Sequence, residues 1–387
     1  MSTLPTDLRA AARLAADATV GVSRIAEGVH QSVWSTLGAG RSDGRARGLT
    51  GFVYRQVRRT ARLASRTADR ALGWIPADDA SESERRAAFV AALNGVMGDH
   101  LAATDNPLAT PMTLRHHGAA LGESGPLDVP GTAGRVVLFL HGLCLDERCW
   151  ESGTVRYADV LARETGATPL HLRYNTGLPV AENGRRLAAL LERVLGRWPV
   201  PFDRLDAVAH SMGGLVLRSA LHAAREAGHS WPDRLRTAVF LGTPHHGAPL
   251  ERLGNGVDAL LGATRFSAPL ARIGKLRSAG ITDLRFGRVL EGPPGDRFRR
   301  GPDLREPLPL PEGIACYAVA ATLAPTRIPF ASRTLGDGLV PLASALGRHP
   351  YPAHRLAFAG TLRRPGTGHF ALLHDPETLD ALRRWLA

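Results

Sequence analysis

Cysteines, aromatic residues and long hydrophobic runs are all scarce in this chain of 387 residues. Its three cysteines, Cys144, Cys149 and Cys316, are too few and odd in number for a disulfide framework. No stretch approaches the ~20 apolar residues of a membrane-spanning helix. The N-terminus, residues 1–7, is polar and lacks the apolar core of a secretory signal. These absences predict a cytoplasmic protein, at most peripheral to a membrane.

The charge is strongly unbalanced, with a formal net charge of +12. Such a balance is typical of proteins that bind nucleic acids or anionic membranes. Here almost all of the positive charge is arginine, and Lys275 is the only lysine. The arginines are scattered, and no basic run is interleaved with aromatic residues as a strand-binding groove requires. We therefore interpret the charge as compositional bias and predict no nucleic-acid partner.

Residues 1–110 are predicted to form a helical extension. Apolar residues recur at spacings of three and four over 8–33 and 53–72, and a third helix is predicted over 81–103, with Ser81 as its N-cap. The apolar faces are rich in alanine, which favours packing against other helices over insertion into a bilayer. Packing on the second domain, contact between subunits and contact with lipid all remain open, as does the oligomeric state.

From about Pro111 the pattern changes to short apolar runs that alternate with helical ones. Uninterrupted apolar strands separated by helices are typical of a mostly parallel sheet covered on both faces, so 111–387 is predicted to be an α/β domain. The stretch 246–311 contains no predicted strand and is interpreted as a cap or lid. The predicted strands are 135–140, 168–172, 205–209, 237–241, 315–321 and 355–359, and the predicted helices are 157–164, 181–195, 215–227 and 377–386.

The turn after the third predicted strand carries a candidate nucleophile, Ser211. A serine hydroxyl is a weak nucleophile at neutral pH and needs a base and donors for the developing oxyanion. Ser211 lies between a buried strand and a helix, in Ala209-His210-Ser211-Met212-Gly213-Gly214. The small residues Ala209 and Gly213 permit the sharp turn that lifts a hydroxyl above a sheet. The sequence therefore predicts a nucleophile elbow, with alanine at the first glycine of G-x-S-x-G.

Three further motifs accompany this turn along the second domain. They are Leu140-His141-Gly142-Leu143, Leu241-Gly242-Thr243-Pro244-His245-His246-Gly247, and Gly336-Asp337-Gly338-Leu339-Val340-Pro341 followed by Gly368-His369. The set resembles the bacterial lipase and esterase branch of the α/β-hydrolase superfamily, and also the related deacylases that act on glycolipid anchors. The resemblance runs from about residue 111 to the end. It implies an α/β-hydrolase fold with a mostly parallel sheet and a triad in the chain order Ser, Asp, His.

The resemblance also assigns the triad partners of Ser211. His369, in the loop after the last predicted strand, is the expected general base, with His374 as its rival. Asp337, between two glycines, is the expected acid that orients the base, although a turn aspartate is also typical of Gly-Asp-Gly. Asp375 and Asp303 are weaker candidates for the acid.

The expected oxyanion donors are backbone N–H groups, those of Met212 and of Leu143. Three histidines of the matching motifs, His141, His210 and His245, are assigned to substrate binding. No cofactor is expected. The adjacent pair His245-His246 lacks a third metal ligand at a useful spacing, and no cluster of carboxylates indicates a calcium site.

Together these residues predict a serine hydrolase that cleaves carboxylic esters through an acyl-enzyme. A lipid-like substrate with an apolar acyl chain is expected, and any membrane contact is expected through the N-terminal helices or the lid. Acyl transfer to an alcohol or thiol, amide or peptide hydrolysis, and a non-catalytic binding module on the same fold all remain open. The apolar residues expected to line the lid are Leu253, Leu260, Leu261, Phe266 and Leu270.

Overall fold

The computed structural model describes residues 84–122, 124–127, 129–248, 278–292, 305–324 and 336–387, and in addition the single positions Asp7, Ala10, Arg13, Leu14 and Arg59. Apart from those positions, the two predicted N-terminal helices lie outside the described residues, as do Asp303 and the five apolar residues expected to line the lid. Within the described ranges, no helix has the length and hydropathy needed to cross a membrane.

Eight strands form one sheet in the described part of the chain, in the order β2-β1-β4-β3-β5-β6-β7-β8. β1 pairs antiparallel with β2 and β4, and every other pairing is parallel. The order of the six parallel strands, β4-β3-β5-β6-β7-β8, with helices packed on the sheet, is that of the α/β-hydrolase fold and confirms the predicted fold class. The strands are β1 Thr113–His116, β2 Ala119–Ala120, β3 Arg135–Leu140, β4 Thr168–Arg173, β5 Arg204–His210, β6 Leu235–Leu241, β7 Ala315–Thr322 and β8 Gly360–Pro365.

The helices cover the sheet because its central strands are apolar on both faces. In β3, for example, Val136 to Leu140 are all buried, which is the pattern of a strand with no solvent-facing side. One face packs against α2 and α7 in a core that includes Phe139, Trp150 and Leu382. The helices are α1 Glu84–Ala103, α2 Tyr157–Thr165, α3 Val180–Leu195, α4 Met212–Glu226, α5 Ala279–Leu284, α6 Leu342–Ala345 and α7 Pro376–Leu386.

The last strand lies later in the chain than the sequence predicted. The predicted strand 355–359 is wrong, and β8 is Gly360–Pro365, which pairs with β7. The apolar side chains of Leu356 and Phe358 instead pack over Gly347, so their hydropathy reflects burial rather than strand pairing. β8 is an edge strand, and its exposed residues are Thr361 and Arg363.

Two features of the α/β unit were not predicted. The β1–β2 hairpin turns at His117 and Gly118, whose φ angles of 45° and 76° are both positive, as in a type I′ turn. Residues 84–100 of α1 belong to the same compact unit as the sheet. The division into 1–110 and 111–387 therefore stays a prediction, whereas the structure groups 84–100 with 110–387.

Candidate active site

Ser211 occupies a strained turn between β5 and α4. Its φ of 54° and ψ of −124° lie in a region that costs a non-glycine residue on the order of 1–3 kcal/mol and is usually retained for function. The Ser211 N–H donates to the Leu241 carbonyl at 2.8 Å, which ties the turn to the end of β6. A side chain at Gly213 would lie 2.6 Å from the His141 carbonyl. The small residue expected there is therefore needed for the turn to pack closely.

Asp337 and His369 meet directly. His369 Nδ1 donates to Asp337 Oδ2 at 2.7 Å, and the His369 N–H donates to the Asp337 carbonyl at 3.0 Å. The other carboxylate oxygen, Oδ1, accepts from the N–H groups of Leu339 at 3.0 Å and Val340 at 2.8 Å. Asp337 is 3% exposed and His369 is 4% exposed. The carboxylate is thus fixed at both oxygens and holds the imidazole through one ring nitrogen, which leaves Nε2 for another partner.

Ser211 lies close to the Asp337–His369 pair, because residues next to Ser211 contact His369. His210, next to Ser211, places its ring centroid 4.7 Å from that of His369, and its Nε2 donates to the His369 carbonyl at 3.1 Å. A Cβ built on Gly242 would lie 3.2 Å from both His369 Cε1 and Asp337 Oδ2. Among the described residues, Ser211 Oγ makes no hydrogen bond to His369. The three predicted triad residues therefore lie at the carboxyl ends of neighbouring strands. Within the described residues, a hydrogen bond joins Asp337 to His369, but none joins His369 to Ser211.

The two predicted oxyanion donors lie beside Ser211. Met212 is the first residue of α4, where backbone N–H groups have no intrahelical acceptor and the helix dipole favours negative charge. A Cβ on Gly142, which precedes Leu143, would lie 3.5 Å from Ser211 Oγ. Within the described ranges, neither the Met212 N–H nor the Leu143 N–H donates to another group. Two unpaired donors at this turn match what an oxyanion requires.

The three histidines assigned to substrate binding are buried, with exposed fractions of 0% for His141 and His210 and 1% for His245. His141 stacks on Tyr174 with ring centroids 4.4 Å apart, and burial lowers the pKa of His141 to about 4. Burial also lowers the pKa of His210 well below its usual value. Both lie at the Ser211 turn and are expected to be neutral at pH 7. Their role in substrate binding stays a prediction.

His245 lies in a different environment, between Phe240 and Phe358. Its Nδ1 is 3.4 Å from Arg218 Nη1. Burial, reinforced by the Arg218 charge, lowers the pKa of His245 well below its usual value. In the described part of the chain, no group of three His, Cys, Asp or Glu residues could hold a metal ion.

The rival residues have other partners. His374 Nε2 is 3.2 Å from the exposed Ser152 Oγ, and its Nδ1 donates to the Val155 carbonyl at 3.3 Å. Asp375 accepts from the Thr378 N–H at 2.9 Å as the N-cap of α7 and pairs with Arg364 at 2.7 Å. Among the described residues, neither hydrogen-bonds to Ser211 or His369, which favours the assignment of His369 and Asp337.

No protein-family model matches the chain, and no curated protein matches its sequence. Solved structures that resemble it include the mature form of a lipase from Bacillus licheniformis, at 20% identity and a TM-score of 0.42 over 72% of this chain and 98% of the lipase. A thermophilic esterase from Thermogutta terrifontis has 14% identity and a TM-score of 0.38 over 72% of this chain and 92% of the esterase. An esterase from Pyrococcus furiosus has 13% identity and a TM-score of 0.39 over 66% of this chain and 83% of the esterase.

Proposed function

We propose that this chain is a serine hydrolase that cleaves carboxylic esters through a covalent acyl-enzyme, with Ser211, His369 and Asp337 as its triad. The observation that carries the proposal is the Asp337–His369 hydrogen bond of 2.7 Å beside a serine with a positive φ. A carboxylate that fixes one ring nitrogen directs the other to act as a base. The proposal rests on the geometry of this chain's own residues.

In the first step, Ser211 Oγ attacks the carbonyl carbon of the ester and His369 Nε2 accepts the hydroxyl proton. The negative charge that develops on the carbonyl oxygen is stabilised by the N–H groups of Met212 and Leu143. Such a donor contributes on the order of 10²–10³ in kcat. His369 then returns the proton to the departing alcohol as the C–O bond breaks, which leaves the acyl group on Ser211.

In the second step, His369 accepts a proton from water as the water oxygen attacks the acyl carbon. The tetrahedral intermediate uses the same two N–H donors, and its collapse returns the proton to Ser211 and releases the acid. Asp337 stabilises the imidazolium that forms in both steps, and it keeps the proton on Nδ1 of the neutral ring. Water as the acceptor makes the reaction a hydrolysis, and a lipid-like acyl chain is the proposed substrate class.

A series of p-nitrophenyl esters tests this proposal. Wild type is expected to hydrolyse them and to favour octanoate over acetate, because an apolar acyl chain is proposed. Ser211→Ala is expected to lose nearly all activity. Ser152→Ala is the matched control, since Ser152 is the exposed serine paired with the rival His374, and it should retain wild-type rates. Strict preference for acetate would contradict the lipid-like substrate, and normal turnover by Ser211→Ala would contradict the nucleophile.

A further inference from the structure

Helix α1, which has a kink at the non-helical residue Met97, contains two buried glycines, Gly95 and Gly98. Glycine in a helix interior costs about 1 kcal/mol relative to alanine, and this cost applies to Gly95. Close packing on two loops at the carboxyl edge of the sheet explains both. A Cβ on Gly95 would lie 2.2 Å from Cys144 Sγ, and a Cβ on Gly98 would lie 1.9 Å from Asn175 Oδ1. The Asn175 side chain also donates to the Gly98 carbonyl at 2.8 Å. Helix α1 can approach these two loops this closely only at residues that have no side chain.

Cys144 is the residue that Gly95 contacts. It follows Leu143, the second predicted oxyanion donor, and its φ of 60° is positive, a conformation that is costly for a non-glycine residue. The Cys144 N–H donates to Thr176 Oγ1 at 3.2 Å. On its other side, Gly95 approaches so closely that Cys144 Cα and N would be 3.1 Å from an added Cβ. The strained residue is thus held between α1 and the loop after β4.

We infer that Gly95 and Thr176 are positioning residues that hold Cys144 in its left-handed conformation and thereby aim the Leu143 N–H at the oxyanion. This inference rests on the proposed function, because the oxyanion hole is part of it. A backbone N–H has no side chain of its own to steer it, so the packing of adjacent residues sets its direction. The N–H of Met212 differs, since α4 orients it.

The expected signature is kinetic. An oxyanion donor acts in the transition state more than in the ground state, so its displacement lowers kcat and kcat/KM together and leaves KM nearly unchanged. Packing that serves stability alone would instead change the melting temperature, Tm. Gly95→Ala separates the two effects, because alanine raises helix propensity while its methyl group presses on Cys144.

The first experiment measures kcat, KM and Tm for Gly95→Ala, Cys144→Ala and the double variant with a p-nitrophenyl ester. Gly95→Ala is expected to lower kcat about 10- to 100-fold, within the contribution of one oxyanion donor, with KM within about twofold. Cys144→Ala removes the Sγ atom, which is the only contact of the added methyl shorter than 3.1 Å. The double variant should therefore recover most of the lost kcat. Gly122→Ala is the control, because its nearest neighbour would be an atom 3.5 Å away.

The second experiment uses a substitution that adds no volume, so it tests the inference even if the Gly95→Ala variant does not fold. Thr176→Val keeps the shape of the side chain but removes the hydroxyl that accepts from the Cys144 N–H. It is expected to lower kcat several-fold at constant KM, and Thr176→Ser should restore it. An unchanged kcat in Thr176→Val would contradict the inference, as would a kcat loss in Gly95→Ala that Cys144→Ala does not relieve.

The rate at which a fluorophosphonate probe labels Ser211 distinguishes failure of this inference from failure of the proposed function. If Ser211 labels at the wild-type rate in both Gly95→Ala and Thr176→Val, the inference is wrong and the nucleophile stands. If Ser211 in the wild type does not label, the proposed function fails and the oxyanion role of Leu143 fails with it.

Discussion

Two serine–histidine pairs lie at the carboxyl edge of the sheet, Ser152 with His374 and Ser211 with His369. They differ in their burial, in their backbone conformation and in the group that orients the histidine. Ser152 Oγ is 3.2 Å from His374 Nε2, but Ser152 is exposed and His374 is oriented by a main-chain carbonyl. Ser211 makes no hydrogen bond to His369 among the described residues, yet it is buried in a strained turn, and a carboxylate orients His369. A serine–histidine contact therefore does not by itself identify a nucleophile.

What distinguishes the Ser211 region is the stabilisation of charge. Asp337 can stabilise an imidazolium, and the N–H groups of Met212 and Leu143 can stabilise an oxyanion. The Val155 carbonyl at His374 carries only a partial charge, and Ser152 Oγ lies 3.2 Å from the Cys149 carbonyl, an acceptor that cannot stabilise an oxyanion. Apo structures of hydrolases often have long or poorly aligned catalytic hydrogen bonds that tighten with substrate.

The largest effect expected is that of removing the base. His369→Ala should lower kcat by about 10⁴- to 10⁶-fold, as for the histidines of established triads, because it removes the proposed acceptor of the Ser211 proton. The matched change His374→Ala should leave kcat within about twofold. Hydrolysis of p-nitrophenyl octanoate measures both. Equal losses of kcat in His369→Ala and His374→Ala would contradict the assignment of His369, rather than His374, as the base.

Asp337→Asn should have the next largest effect, a fall in kcat of up to about 10⁴-fold. The amide keeps the shape of the carboxylate but cannot stabilise the imidazolium, and it favours the wrong ring tautomer. Circular dichroism should show an unchanged fold. Near-normal turnover would mean that a different acid orients His369.

Acid should destabilise the Ser211 region, because burial lowers the pKa of its histidines His141 and His210. Burial lowers the pKa of folded His141 from 6.5 to about 4, so the unfolded chain binds the proton more readily between those values. The free energy of unfolding is therefore greatest above pH 6.5 and falls as the pH drops toward 4, by on the order of 3 kcal/mol for this residue.

His141→Phe, which retains an aromatic ring against Tyr174, should reduce this pH dependence but not abolish it, because burial also lowers the pKa of His171, His210, His245 and His246. Urea unfolding at pH 7.5, 6, 5 and 4.5 measures the slope for wild type and variant. An identical slope in both proteins would show that His141 does not carry the acid sensitivity.

A smaller effect is expected at Gly242, which lies against both Asp337 and His369. Its φ of 57° is positive, and an added Cβ would lie 3.1 Å from Leu372 Cδ1 and 3.2 Å from His369 Cε1. Gly242→Ala should displace the imidazole slightly and lower kcat about tenfold, since misplacement by 1 Å costs about 10²-fold. Gly122→Ala serves as the control, and equal kcat values for the two variants would argue against a tightly placed base.

The sequence predicted the fold class because it depends on local patterns of strands and helices, whereas the triad order Ser, Asp, His was implied by the resemblance and stays a proposal. A buried strand followed by a small-residue turn and a helix is visible around Ser211, and Asp337 and His369 lie in loops after predicted strands. The resemblance favoured Asp337 over Asp375 as the acid, and the structure adds the 2.7 Å hydrogen bond between His369 and Asp337. Asp375 is instead engaged as a helix cap.

The rest could not be predicted because periodicity describes an element and not what it packs against. The pattern over 81–103 indicates a helix but not its contacts with Cys144 and Asn175. The apolar residues Leu356 and Phe358 indicate burial but not whether a strand forms. The β1–β2 hairpin carried little signal, because His117-Gly118 is not one of the favoured dipeptides of a two-residue turn and β2 is only Ala119–Ala120.

The most direct test of the central claim is the site of covalent labelling by a fluorophosphonate probe. After trypsin digestion, Ser211 lies in the peptide 205–218 and Ser152 in the peptide 149–156. We expect mass spectrometry to find one label, on 205–218, which Ser211→Ala abolishes and Ser152→Ala retains. A label on 149–156, or labelling that survives Ser211→Ala, would show that Ser211 is not the nucleophile.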